Sequence, residues 1–304
     1  VVDMTPPDHL RNKQNMASMR PLQFFRMVEL GWHHQYMANV LQRNNGNGTY
    51  SDVAHVAGVD RTDWSWAPLF ADFDNDGWKD LFITNGIWRE VGNNDYKNKV
   101  KELAAEKGTS LPFDEVMALI PQAAPENYMF RNNGADKSGQ ASLSFSKAMD
   151  SWGYHHAAVS TGGAYADLDA DGDMDLVVCD VNRPVTVVEN LFSGTDGVHY
   201  LQVVLKGSGA NTHAIGAAVS LHTKAGQQVL EQSLTRGFQS SVEPLLHFGI
   251  GDLSIDSLVV DWTDGTRTVL NDVKPDHRIT VDHASAARTP RRPKPEAEVL
   301  FAEN

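Results

Sequence analysis

Cysteine is nearly absent. Cys179 stands alone among 304 residues, so no internal disulfide can form and cysteine usage says little about compartment. It closes the apolar run Leu176-Val177-Val178 and reads as a small buried core residue. No apolar stretch approaches the roughly 20 residues a membrane-spanning helix needs. No signal-peptide pattern is visible. A starting Met is missing, and Glu298-Val299-Leu300-Phe301 resembles the opening of another element, so the chain reads as a piece of a longer protein. Bases are in the minority, 26 Lys and Arg against 39 Asp and Glu. The net charge of -13 repels phosphate backbones and argues against nucleic acid as a partner. Nucleophile elbow, P-loop and dinucleotide fingerprint are all missing.

What the chain does have is carboxylate, concentrated in two places. Asp72, Asp74, Asp76 and Asp80 share one short segment, and Asp167, Asp169, Asp171, Asp173 and Asp175 share another. Both follow Asp-x-Asp-x-Asp-Gly-x-x-Asp-Leu. Calcium is a hard cation that takes six to eight oxygens at roughly 2.3–2.6 Å. Carboxylates at alternate positions of a tight loop can converge on one such ion, with Gly77 and Gly172 permitting the turn. The seventh loop position would offer a backbone carbonyl, from Trp78 or Asp173, and Asp80 and Asp175 would close the sites. An EF-hand is excluded, because position twelve is Ile83 or Val178 rather than Glu and strands flank both loops. The all-oxygen set disfavours zinc, and the ligand number disfavours magnesium. Two structural Ca2+ ions are therefore expected, which would bring the net charge from -13 to about -9. Without a cation, packed carboxylates repel one another.

The loops sit in an internal repeat. Asn39-Val-Leu-Gln-Arg-Asn-Asn-Gly46 matches Asn127-Tyr-Met-Phe-Arg-Asn-Asn-Gly134. Each copy leads through a short strand to its acidic loop and then to an apolar strand, Leu81-Phe82-Ile83 or Leu176-Val177-Val178. Repetition of such a unit suggests propeller blades. The expected fold is all-β: a partial propeller over 1–197 with helical insertions at 8–31 and 94–120, then an antiparallel, sandwich-like β domain over 198–283. Residues 284–304 are expected to be a Pro-rich, basic linker and the start of a further element.

The loops resemble the FG-GAP repeats of integrin-like propellers and the related VCBS repeats, over roughly residues 39–190. Gly209-Ala-Asn-Thr-His-Ala-Ile-Gly-Ala217, Arg236-Gly-Phe-Gln-Ser-Ser241, His247-Phe-Gly-Ile-Gly251 and Val259-Val-Asp-Trp-Thr-Asp-Gly265 resemble the ASPIC/UnbV domain of the cartilage acidic protein-like family and of bacterial secreted proteins. The resemblance implies an exported, calcium-binding protein, secreted or at the cell surface, bacterial periplasmic or extracellular above all. It also implies that blades are missing from this chain or are supplied by another part of the molecule, since two loop-bearing repeats cannot close a ring of about seven.

The remaining candidates are weaker. His33-His34 and His155-His156 suggest metal or acid–base chemistry, but paired histidines on turns are more often incidental. Trp64 and Trp66 could stack on sugars, or simply pack between blades. His213, His247 and Trp262 could line a polar ligand site. Asn47-Gly48-Thr49 matches a glycosylation acceptor, and an Asn-Gly turn explains it equally. The expected function is a non-catalytic adhesion or recognition module for a glycan or an extracellular protein. The alternative is a carbohydrate-active lyase or isomerase using His155, His156 or the Trp64–Trp66 segment.

Overall fold

The computed structural model describes residues 1–16, 21–34, 36–135, 142–195 and 197–287. Strands dominate and the helices are few. Two short helices open the chain, α1 (His9–Met16) and α2 (Pro21–Glu29). A hairpin of β1 (Gln42–Asn44) and β2 (Tyr50–Asp52) leads through α3 (Ala54–Ala57) to β3 (Ser65–Ala71) and β4 (Asp80–Asn85). Two helices then interrupt the strands, α4 (Asn94–Lys107) and α5 (Phe113–Leu119). Asn93 caps α4 by accepting from the amides of Asp95 and Tyr96, and Gly108 ends it at φ 63°. Helices α1 and α2 lie within 8–31, and α4 and α5 within 94–120. After them come β5 (Tyr128–Asn132), β6 (Phe145–Lys147), β7 (Ser160–Ala166), β8 (Asp175–Asp180) and β9 (Thr186–Val188).

These strands form two like sheets. The first has the order β3-β4-β5-β6 and the second β7-β8-β9, all pairs antiparallel. Their registers correspond residue by residue. Ser65 faces Asn85 as Ser160 faces Asp180, and Ala71 faces Asp80 as Ala166 faces Asp175. Each first strand shifts register at the same place, between Ser65 and Pro68 or between Ser160 and Gly163. The sequence repeat therefore straddles two sheets, because β5 and β6 close one sheet while β7 opens the next. Gly163 sits where they pack: an added Cβ would come within 3.3 Å of Leu69 Cδ1 and 3.4 Å of Thr84 Cγ2. Strand β4 is buried along its whole length, and Phe82, Ile83 and Phe130 are almost fully enclosed. Each such side chain contributes about 1.5–3 kcal/mol by leaving water.

Cys179 departs from its expected place. It is exposed, because Leu176 and Val178 take the inward positions of β8 and alternation turns Cys179 outward.

The chain divides into two compact units, one of Val1–Thr195 with Thr235–Glu243, the other of the remaining described residues. The second unit contains β10 (His199–Lys206), β11 (Ala218–Thr223) and β12 (Gly226–Glu231). Next in the chain come β13 (Thr235–Arg236) and β14 (Ser240–Ser241), which pair with each other. Then follow β15 (Leu245–Gly251), β16 (Ile255–Asp261), β17 (Arg267–Asn271) and β18 (His277–Asp282). A four-stranded antiparallel sheet, β12-β11-β16-β17, and a three-stranded sheet, β15-β10-β18, share one core. Leu201, Val203, Val219, Leu221, Phe248, Ile250, Leu258 and Val260 fill it. The expected all-antiparallel sandwich is corrected at one pair: β10 and β18 run parallel, with Leu201 beside His277 and Lys206 beside Asp282. Their separation in the chain provides the long crossover that parallel pairing requires.

The boundaries also differ from the sequence expectation. The β13–β14 hairpin groups with the first unit rather than with residues 198–283. Phe238 packs on Trp66 at 4.8 Å between ring centroids, and the amide of Gly163 donates to Ser240 Oγ at 3.2 Å. Gly237, at φ 64°, leaves no room for a side chain, since a Cβ would lie 3.0 Å from Ala67 Cβ. At the other end, Arg267 bridges Ala287, so pairing continues past His283. The rest of the expected linker and the Leu300–Phe301 element, from 288 onward, lie outside the described residues.

Candidate metal centre

Each acidic loop joins the first two strands of its sheet, and the two have the same internal hydrogen bonds. Asp72 accepts from the amides of Asp76 (3.1 Å) and Gly77 (2.9 Å), and Asp167 accepts from those of Asp171 (3.1 Å) and Gly172 (3.2 Å). Asp76 accepts from the Trp78 amide as Asp171 does from that of Asp173. Both chains turn left-handed at loop positions four and six: Asn75 and Ala170 at φ 55° and 64°, Gly77 and Gly172 at 92° and 99°. Asn tolerates this conformation better than Ala.

The predicted ligands do not all play one role. In the first loop Asp72, Asp74 and Asp80 bring oxygens within 4.8 Å of one another; in the second, Asp167, Asp169 and Asp171 do so. Asp76 instead takes Nη2 of Arg131 at 3.2 Å, while Arg131 Nε donates to Asp74 at 2.6 Å. Asp80 and Asp175 act as clamps. Asp80 accepts from the amides of Phe73 and Asn132, and Asp175 from those of Leu168 and Asn190. Asp80 thereby ties its loop to β5, and Asp175 ties its loop to the turn that follows β9. Asp173 is fully buried and holds the 190–193 turn through the amides of Phe192 (2.9 Å) and Ser193 (2.8 Å). Trp78 packs its indole beside Gly134.

A divalent cation fits this donor set. All side-chain donors are oxygens, the preference of a hard ion. Asp74 is only 3% exposed, yet its Oδ1 has no hydrogen-bond partner among the described residues. Asp173 Oδ1 is similarly buried without one. Such an atom costs about 1–3 kcal/mol unless something pairs with it, and more when charged. Burial, with repulsion from neighbouring carboxylates, raises the Asp72 carboxyl to about 7. The same two causes raise Asp80 to about 8, burial outweighing its two backbone donors. Burial raises Asp173 to about 7. A cation would restore the charged forms. The ligand oxygens would come from Asp72, Asp74 and Asp80 in one loop and Asp167, Asp169 and Asp171 in the other.

Several site residues carried no local signal in the sequence. Arg131, Asn132, Asn190 and Ser193 arrive from a neighbouring strand or turn. Asn132 and Asn190 each donate from Nδ2 to the loop, to the carbonyls of Lys79 (3.1 Å) and Met174 (3.2 Å). Ser193 Oγ donates to Asp171. Glu243 accepts from the Asp167 amide at 3.3 Å. Their equivalence in the repeat, Asn132 with Asn190, is the signal that could have found two of them.

The other candidates form no second site. His156 Nε2 donates to Asp180 at 2.8 Å, and Asp180, 1% exposed, also accepts from Ser160 and Thr186. Ser160 therefore bonds the carboxylate and not the imidazole, which is no nucleophile–base arrangement. His155 lies at the surface between Glu126 and Asp150. His33 and His34 are exposed, His34 stacking on Tyr36. Trp66 donates to the Gly86 carbonyl at 2.7 Å and packs on Phe238, so it serves as packing. His247 stacks on Tyr200, Trp262 meets His283 edge-on, and His213 is exposed. Asn47 accepts from both the amide and the hydroxyl of Thr49, an Asx turn. Among the described residues no helix is long and apolar enough to cross a membrane.

Two stretches of the chain match known families. Residues 30–83 match an FG-GAP-like repeat, and residues 207–288 match the ASPIC and UnbV family. Cartilage acidic protein 1 of Xenopus tropicalis is 30% identical over 259 residues, covering 76% of this chain and 39% of that protein. The mouse protein of the same name is 30% identical over 251 residues, and the human one 28% over 252, with 75% of this chain covered in each case. The chain spans about two fifths of the length of these relatives. The chain thus carries an FG-GAP-like repeat ahead of an ASPIC/UnbV domain and is homologous to cartilage acidic protein 1 over about three quarters of its own length.

Proposed function

We propose that this chain is an extracellular recognition module whose first unit is a pair of propeller blades stabilised by two calcium ions. The observation that carries the reading is the coincidence of the two loops. The same backbone hydrogen bonds and the same left-handed turns recur in both, each around a convergent group of carboxylates. The FG-GAP-like and ASPIC/UnbV matches support export and binding rather than turnover. The His156–Asp180–Ser160 geometry supports a structural part for those groups. The ions hold each loop to its sheet, and the ligand is a glycan or an extracellular protein. Calorimetric titration with calcium, paired with thermal melts in calcium and in chelator, tests the reading. Two saturable sites and a higher Tm in calcium are expected. Coincident melts with no heat of binding would sink it. A glycan array and a polysaccharide-cleavage panel address the recognition part. Turnover abolished by His155→Ala would replace recognition with catalysis.

A further inference from the structure

The two loops share their backbone but not their electrostatic surroundings. The hydrogen-bond equivalence of Asn132 and Asn190 aligns Arg131 on β5 with Glu189 beyond β9. Within the loops Lys79 aligns with Met174, and Trp78 with Asp173. The first loop therefore holds four carboxylates with two bases at these positions, whereas the second holds five carboxylates with a sixth, Glu189, and no base. Arg131 does more than stand nearby. Its Nε and Nη2 donate to Asp74 and Asp76, taking one oxygen from each of two carboxylates that the sequence pattern assigns to the ion. Asp74 Oδ1, buried and without a hydrogen-bond partner, remains beside it.

We propose that Arg131 is a built-in counter-ion of the first loop, so that calcium fills the second loop first and enters the first only by displacing the guanidinium. This rests on the calcium reading above. Two like charges cannot share the Asp74–Asp76 pair at close range without strong repulsion. The Arg131 side chain is half exposed, so its head can move to water when the ion arrives. The second loop has no such occupant and carries the larger negative charge. The first loop thus stays folded when calcium is scarce, with Arg131 in the ion's stead. The second depends on the ion.

Calcium titration of the full chain by calorimetry tests this with three variants, Arg131→Gln, Arg131→Lys and Asp171→Asn. The wild type should show two separated constants. Arg131→Gln should tighten the weaker one on the order of tenfold, the effect of removing a charge-assisted pair. Arg131→Lys, which keeps the charge, should leave that constant near the wild-type value. Asp171→Asn should remove the tighter site. In chelator Arg131→Gln should melt below the wild type, and saturating calcium should erase the difference. Two equal constants in the wild type, or no response to Arg131→Gln, would overturn the proposal while leaving calcium binding intact. No saturable uptake by any of the four proteins would overturn the calcium reading itself, and the order of filling with it.

Discussion

Asn75 in the first acidic loop donates from Nδ2 to the carbonyl of Gly172 in the second, at 3.1 Å. Asn190, from beyond the second loop, donates back to the carbonyl of Phe73 in the first, at 2.8 Å. The loops are thus one hydrogen-bonded assembly, although about a hundred residues separate them in the chain. Asn75 is buried and left-handed, so it meets two demands at once.

Asn75→Ala should lower stability by about 1–3 kcal/mol, from a lost buried hydrogen bond and a strained left-handed Ala. It should also weaken calcium binding in the second loop, whose Gly172 it braces. Chemical denaturation and calorimetry on the same variant check both. Loss of stability with unchanged binding at the second loop would show that the loops are linked only mechanically.

Clamps and ligands should separate in chelator. Asp175→Ala removes the acceptor for two part-buried amides, those of Leu168 and Asn190, and should cost about 1–3 kcal/mol with or without calcium. Asp169→Asn changes an exposed member of the second carboxylate group and should leave the chelated protein's Tm unmoved while erasing part of the expected calcium-induced rise. Paired melts in calcium and chelator distinguish them. Equal behaviour of the two variants would contradict the division of roles.

Protons should compete with calcium. Burial raises Asp72 to about 7, Asp80 to about 8 and Asp173 to about 7, from an ordinary 3.8. The native, ion-free protein therefore binds more protons than the unfolded chain between those limits, and its stability should fall as pH rises through that window. Calcium reverses the preference, so its affinity should rise between pH 5.5 and 8. Melts at both pH values, in chelator and in calcium, read the effect. An ion-free protein that gains stability across this range would refute it.

His156→Ala should destabilise without touching calcium. It removes a partner of Asp180, a buried carboxylate, at a cost of about 1–3 kcal/mol. Urea denaturation measures the loss, and calcium constants equal to the wild type confirm that the His156 cluster is a separate lock.

The two acidic loops, their repetition and the strands beside them are legible in the order of residues alone. Those features are local: alternating Asp residues, a Gly at position six and an apolar run are enough to set a tight turn between two strands. Helices α4 and α5 are likewise legible there, α4 with Gly108 as its stop signal. Other features emerge only in the folded chain, because they depend on residues brought together from far along it. Arg131 reaches Asp74 across 57 positions, and Asn190 reaches Phe73 across 117. The parallel pairing of β10 with β18, the outward turn of Cys179 and the return of the β13–β14 hairpin to the first unit are of the same kind. In a β protein the neighbour across the ladder has no fixed offset in sequence. The donor atoms of each loop can therefore be read along the chain, whereas what neutralises, clamps and couples them becomes visible only when the strands are paired.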